Sequence, residues 1–537
     1  MDGRNSSQVN QADGIASTAP TWQLLAILLA LSAMLHVWVL THTEVAARDS
    51  IAYIRYAWRL EHLPWTQVLR EGDHHPGYPA AVLLMKQAVE PFHHGSTAMM
   101  MQLSAQLVSC VFGVLLVVPM FLLGRELFSP RVGFWSALLL QVMPATGHVL
   151  SDGLSEAMFL CLVSFSTWMG VRGLRTGSKL NFSLSGAVGA LAYLTRPEGA
   201  LIVGATGLLL VISQVVRAWQ RPWRRAMACM GALAVPAIVV GCPLLLVTGK
   251  LILKPTPNAV IENMLKARGN DSEAEMRGPS TPLFATFMTT TGADVGFQAV
   301  TKELVRGFNY VGWIPALLAL WWERERLREQ PGHWILLIVM CSVGFLLWRV
   351  ATLMGYVSDR HTALIIFCGV FWITAGLAGL PSRLALLFDR LHFFWASRWC
   401  RKSLAPAVAL LAFALPGLPR TMERLHYNRG GFREAGDWLA SHSTSQDPIL
   451  DPYCWSHYYA GRVFIEGLDT STAAPESGNA CVKYVVLEES NNPHPNLPEV
   501  REAERLVKQG TEVYRWKGRR GKEYAEVAIY KVPLEAQ

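Results

Sequence analysis

The stretch Trp22 to Leu40 contains no Asp, Glu, Lys or Arg, and apolar runs of this kind recur along most of the chain. They lie at about Met99 to Leu123, Val132 to Val149, Gly153 to Val171, Met227 to Val247, Trp334 to Val350 and Thr362 to Leu380. Shorter ones occupy Phe182 to Leu194, Ala200 to Val215, Phe308 to Trp322 and Leu404 to Leu418. A helix needs ~20 apolar residues to cross a bilayer, and in lipid it must satisfy its own backbone hydrogen bonds. The pattern therefore predicts a mostly α, polytopic membrane protein with about 11 transmembrane helices. Composition agrees: only 16% of the 537 residues are charged, against about 25% in soluble domains. Nineteen tryptophans suit a chain with many membrane interfaces.

The net charge of +8 does not imply a nucleic-acid partner, because the basic residues fall between apolar segments and not in one patch. Arg125 and Arg131, then Arg172, Arg175 and Lys179, then Arg217 to Arg225, Arg324 to Arg328, and Arg383 to Lys402 occupy every second connection. The positive-inside rule makes those loops cytoplasmic and, with them, the N-terminus. Thr41 to Ala98, the turn near Asp152, the turn at Arg196, Thr248 to Gly307 and the turn ending at Arg360 then face out. This alternation holds only if Tyr78 to Val89, apolar but too short to span, is a juxtamembrane helix. The expected setting is an integral, multi-pass protein of the plasma (inner) membrane.

Residues 1–20 are polar, with no clear cleavage site after the first span, and are expected to be a disordered cytoplasmic leader. A transmembrane domain is expected over residues 21–421. Residues 422–537 read as a small extracytoplasmic α/β domain. Its elements are a helix at Gly431 to Ser441, a strand at Pro448 to Asp451, a short helix around Tyr458 and a strand at Val482 to Glu488. A helix at Leu497 to Lys508 and strands at Thr511 to Trp516 and Glu526 to Val532 follow. The nine cysteines form no zinc-like spacing, so no metal is assigned. In an oxidising compartment Cys454 and Cys481 could pair.

The unusual polar residues all fall on the expected outer side. Asp49 follows the first span and enters a short amphipathic helix, with Ile51, Ile54 and Trp58 on one face; it is either a functional carboxylate or the helix N-cap. His75 and Tyr78 belong to a Pro/Gly turn, His75-Pro76-Gly77-Tyr78-Pro79. Asp152 and Glu156 are four apart, a spacing that shares one helix face, and Glu156 one turn into a span requires a partner or a wet cavity. Thr195 and Glu198 have capping-box spacing around Pro197. Arg196 lies between two short apolar segments, and a guanidinium there calls for an anion: Glu198, Asp152 or a ligand phosphate. Arg360 and His361 head a later span. Carboxylates could deprotonate an acceptor hydroxyl, while guanidinium and imidazolium groups could hold a leaving phosphate.

From Trp22 to Leu380 these residues carry a family resemblance. Arg48-Asp49 after the first span, His75-Pro76-Gly77-Tyr78-Pro79, Asp152 opening a span, Leu194-Thr195-Arg196-Pro197-Glu198-Gly199 and Asp359-Arg360 occur in the order seen in one superfamily. In these motifs the chain resembles the GT-C-fold membrane glycosyltransferases, a superfamily that includes dolichyl-phosphate-mannose protein mannosyltransferases and bacterial aminoarabinose transferases. The resemblance implies a polyprenyl-phosphate-linked sugar donor, transfer with inversion, and Asp49 as the residue that activates the acceptor. Two departures stand out. Relatives often have Asp-Glu where this chain has Asp49-Ser50, so the role of the second carboxylate is open or passes to Asp152 or Glu156. They often have Pro-Pro-Leu where this chain has His75-Pro76-Gly77-Tyr78.

The expected catalytic set is Asp49, Asp152 and Glu156. The expected substrate-binding set is His75, Tyr78, Arg196, Glu198, Arg360 and His361. No cofactor is assigned, although some relatives in the wider fold use a divalent ion. Expected partners are the lipid-linked donor, membrane lipid and a protein, glycan or glycolipid acceptor. A transporter or flippase for a lipid-linked or anionic substrate is the alternative, since short, proline-interrupted helices around charge also occur there. Against it, the Asp49 and Arg196 stretches have no second copy.

Overall fold

The computed structural model describes residues 21–220, 222–253, 293–354, 357–402, 404–465, 482–490, 498–520 and 523–533. Among them, six helices are long and apolar enough to cross a membrane: Thr21–Thr41, Thr97–Leu127, Glu156–Thr176, Trp223–Thr248, Gly332–Leu353 and Asp359–Arg390. The other five expected crossings fall on shorter pieces. These are Pro130–Val142 followed by Pro144–Ser151, then Lys179–Thr195, Ala200–Ile212, Trp313–Trp322 and Ala405–Ala414. The chain is an integral membrane protein with a mostly helical fold.

Local chemistry sets several of the helix ends. Ser129 accepts from the Val132 backbone N–H and Pro130 occupies the first turn of Pro130–Val142, an N-terminal cap with its proline in place. Gly249, at φ 67°, closes Trp223–Thr248 by donating to the Leu245 carbonyl, a left-handed stop that glycine makes without strain.

By contact, the chain divides into two compact units, one comprising Met1–Leu35, Phe112–Val149 and Glu156–Met422, the other His36–Val111, Leu150–Ser155 and Glu423–Gln537. In the first unit, most of the apolar length of Asp359–Arg390 is buried, making it a central helix, whereas little of Trp223–Thr248 is buried among the described residues. Helices approach closely at glycines: a Cβ on Gly186 would collide with the Leu233 carbonyl, and one on Gly376 with the Pro315 carbonyl. Without a hydrophobic drive between helices in lipid, such backbone proximity is a main source of packing energy.

The second unit holds the juxtamembrane helices Arg48–His62, Trp65–Glu71 and Gly77–Val89. It also holds a four-stranded sheet in the order β1-β2-β4-β3, where β1 is Ile449–Leu450, β2 Tyr484–Glu488, β3 Thr511–Arg520 and β4 Glu523–Lys531. β1 pairs parallel with β2, and β4 pairs antiparallel with both β2 and β3. Leu450, Val485, Leu487, Ala503, Leu506 and Val532 form its core with helix Pro498–Val507. The short helices Gly430–His442 and Trp455–Tyr459 complete the run of elements expected from hydropathy. Cys481 lies outside the described residues, and with it the expected pairing to Cys454.

Candidate functional site

In the first unit, burial and charge meet at Glu156. Its side chain is 1% exposed and heads helix Glu156–Thr176. One oxygen, Oε1, accepts from Arg196 Nη1 at 2.5 Å and from Arg360 Nε at 2.8 Å. Arg196 also donates from Nη2 and Nε to the two oxygens of Glu198, at 3.1 and 3.4 Å. Its guanidinium lies 5.5 Å from the Phe159 ring centroid, a cation–π distance. The backbone explains how Arg196 reaches this position. It sits between helix Lys179–Thr195 and the 3-10 turn Pro197–Gly199, at φ −152° and ψ 140°, the extended conformation a following proline imposes. Arg360 is in the first turn of Asp359–Arg390, fixed by a capping box between Ser358 and His361.

A carboxylate this deep would cost several kcal/mol if unpaired, and two guanidinium groups on one oxygen remove that penalty. The other oxygen, Oε2, accepts no hydrogen bond among the described residues. The cluster is a pair of half-buried cations balanced by Glu156 and Glu198. Such a pair can receive a phosphate through charge-assisted bonds that bare apolar walls could not offer.

In the second unit, the segment Leu150–Ser155 is held by side chains from several helices. Ser50 Oγ donates to the Gly153 carbonyl at 2.8 Å, and Ser109 Oγ to the Leu154 carbonyl at 2.9 Å. The Tyr53 hydroxyl pairs with Ser155 Oγ at 3.2 Å, and Ser151 Oγ with His36 Nδ1 at 2.8 Å. Gly153, at φ 66°, supplies the left-handed turn, and Ser50 Oγ would be 3.2 Å from a Cβ there. This turn presents Asp152, 8% exposed, whose two oxygens lie 3.0 and 2.9 Å from His426 Nε2.

Asp49 is exposed on the helix that carries Ser50 and Tyr53. The entrance to that helix is gripped from the C-terminal region. Trp455 Nε1 donates to the Ala46 carbonyl at 2.8 Å, the Ala46 N–H donates to the Tyr459 hydroxyl at 2.9 Å, and Arg48 lies over the Tyr453 ring. Ser50, which stands where relatives often carry a second carboxylate, is thus the anchor of the Asp152 turn.

Several sequence-based expectations change. Asp152 and Glu156 do not share a helix face, because Gly153 breaks the chain and the helix begins at Glu156. Asp49 is not the N-cap; the helix starts at Arg48 with Ala47 at the cap position. No capping box forms at Thr195: it is still helical and its hydroxyl bonds back to the Leu191 carbonyl at 3.0 Å, while Glu198 is engaged by Arg196. His361 is occupied in part by Ser358, whose backbone N–H and hydroxyl lie 3.3 and 3.1 Å from its Nδ1. Tyr78 is fully buried, donating to the Ala105 carbonyl at 2.9 Å. His75 is also buried, at 4% exposed. Sequence reasoning missed His426. A lone histidine carries no motif, and its partner lies 274 positions away.

Spanning helices, juxtamembrane helices after the first span and a small C-terminal α/β region make up the architecture, and its likeness to solved structures shows it to be the GT-C fold. Residues 96–241 match the family model described as dolichyl-phosphate-mannose-protein mannosyltransferase. Among solved structures, the apo oligosaccharyltransferase of Archaeoglobus fulgidus superposes with a TM-score of 0.57 at 11% identity, covering 92% of this chain and 73% of that one. ArnT from Cupriavidus metallidurans, bound to undecaprenyl phosphate, gives 0.55 at 14% identity, covering 95% of this chain and 98% of that one. AglB from Archaeoglobus fulgidus, in complex with an inhibitory peptide and a dolichol-phosphate, gives 0.50 at 12% identity, covering 91% and 72%. A search of curated protein sequences finds no match.

Proposed function

We propose that the protein is an integral membrane glycosyltransferase that moves a sugar from a polyprenyl-phosphate donor to an acceptor hydroxyl at the outer face, with inversion. The observation that carries this reading is the buried Arg196–Glu156–Arg360 cluster in a chain with the GT-C fold. Support for a lipid-phosphate donor comes from the related folds solved with undecaprenyl phosphate and dolichol-phosphate.

In the proposed reaction the Asp49 carboxylate takes the proton of the acceptor hydroxyl. The hydroxyl oxygen bonds to the anomeric carbon as the bond from that carbon to the phosphate oxygen breaks. The electron pair leaves with the polyprenyl phosphate, whose added negative charge is met by the Arg196 and Arg360 guanidinium groups. Attack from the face opposite the leaving phosphate inverts the centre. Asp152 is proposed as the second acidic group. In this reading the N-terminus is cytoplasmic and the C-terminal region faces out. The deciding experiment incubates the purified protein with defined polyprenyl-phosphate sugars and follows released polyprenyl phosphate by mass analysis. No release from any sugar of the panel, with a range of hydroxyl acceptors supplied, would sink the proposal.

A further inference from the structure

His426 is the titratable group nearest Asp152 that no sequence motif announced. It sits at φ 54°, a left-handed conformation that L-residues other than Asn, Asp and His rarely adopt. The neighbouring chain enforces that conformation. Leu425 bridges Thr43 and accepts from the Glu44 N–H at 3.2 Å. The Arg429 N–H donates to the His426 carbonyl at 2.9 Å, and the Arg429 side chain is bound by Glu488 on β2. With both flanks fixed, the imidazole is delivered to a carboxylate that is itself pinned by Ser50 and its neighbours. A turn alone would be made with less strain by glycine, and glycine would leave the Asp152 oxygens without this partner.

We propose that His426 is a positioning residue for transfer: its Nε2 straddles both oxygens of Asp152 and holds the carboxylate in one orientation. This rests on the glycosyltransferase reading above. The groups that act on the pair are known from each side. Burial opposes the charged imidazole, but the Asp152 carboxylate overrides it and raises the His426 pKa above 6.5, while Arg429 opposes the charge. Tyr459, on helix Trp455–Tyr459, also feels the Asp152 charge. Arg429 is in turn bound by Glu488, whose carboxyl burial pushes up to about 7, so Glu488 offsets the Arg429 charge only as pH rises through that value. As pH rises through the raised His426 value, the imidazole becomes neutral, keeps one N–H for Asp152 and loses the charge.

The test compares wild type with His426→Gln, whose amide nitrogen reaches as far as Nε2 but does not titrate, and with His426→Ala. The rate kcat of transfer should fall about fivefold in wild type above the His426 pKa, because the bond then keeps the carboxylate charge but loses the cation on the donor side. His426→Gln should show no such alkaline limb. His426→Ala should lower kcat about tenfold or more at every pH, with KM for the donor within about twofold of wild type, since a group acting only in the transition state alters kcat. Persistence of the alkaline limb in His426→Gln, or near-wild-type kcat in His426→Ala, would overturn the assignment. Thermal stability without substrate separates this from failure of the functional reading. The advantage of wild type over His426→Gln should be full below pH 6.5 and vanish as pH rises through the raised value. If that advantage appears but wild type transfers no sugar, the pair is purely structural and the positioning role is refuted with the function.

Discussion

Replacing Glu156 with Gln removes the buried charge of the Arg196–Glu156–Arg360 cluster while keeping an oxygen of the same shape. Two guanidinium bonds converge on Oε1, at 2.5 and 2.8 Å. A hydrogen bond to a charged group contributes about 1.5–3 kcal/mol and a neutral one about 0.5–1.5 kcal/mol. Each bond keeps its cationic donor on Glu156→Gln but loses the charge of the acceptor, at about 1 to 1.5 kcal/mol apiece and about 2–3 kcal/mol for the pair. Arg196 retains Glu198, whereas Arg360 loses its carboxylate partner on helix Glu156–Thr176, so the destabilisation should couple mainly to Arg360. Denaturant unfolding of the detergent-solubilised protein, followed by tryptophan fluorescence, should show an unfolding equilibrium about 30- to 150-fold less favourable to the native state. A double-mutant cycle with Arg360→Met should show the coupling directly. Saturating polyprenyl phosphate should stabilise Glu156→Gln more than wild type, because a bound phosphate restores the missing anion. A change below about 0.5 kcal/mol, the size of ordinary surface substitutions, together with equal ligand stabilisation, would refute both the ion-cluster argument and the phosphate assignment.

Asp49→Asn should leave expression and thermal stability near wild type, since Asp49 is exposed and is not the N-cap residue, while transfer falls at least ~100-fold; transfer above about a third of wild type would move the base to Asp152 or Glu156. Arg196→Lys, which keeps the charge but loses the fork that grips Glu156 and Glu198, should weaken donor binding about tenfold in a direct binding assay. Unchanged affinity with an intact fold would make Arg196 a structural ion pair. Burial pushes the Glu488 carboxyl up to about 7 although Arg429 opposes it. The folded state therefore holds this proton between about pH 4.5 and 7, and wild type should lose on the order of 3 kcal/mol of stability as pH rises across that window. Glu488→Gln should flatten that slope, and an unchanged slope would refute the assignment. A single cysteine at Glu504→Cys, exposed on helix Pro498–Val507, should react with an impermeant thiol reagent on intact cells in a background lacking the native cysteines. Protection until lysis would reverse the proposed orientation.

What the sequence determined by itself is whatever rests on local periodicity and on the membrane as solvent. A run such as Trp22 to Leu40 can satisfy its backbone in lipid only as a helix, and helix Thr21–Thr41 follows. The alternating strands near the C-terminus were legible for a similar reason, because a sheet with one packed face repeats every two residues. Arg196 was legible as a buried cation needing an anion, since the cost of burying charge does not depend on knowing the fold. Its main partner was not. Glu156 lies 40 positions earlier and Arg360 a further 204 from Glu156, and no local rule brings three helix ends to one oxygen. The break at Gly153 was equally hidden: spacing alone put Asp152 and Glu156 on one helix, and a left-handed glycine backed by Ser50 and Ser109 separates them. His426 belongs wholly to the tertiary structure, because a side chain without a motif acquires chemistry only from the partner to which the fold delivers it.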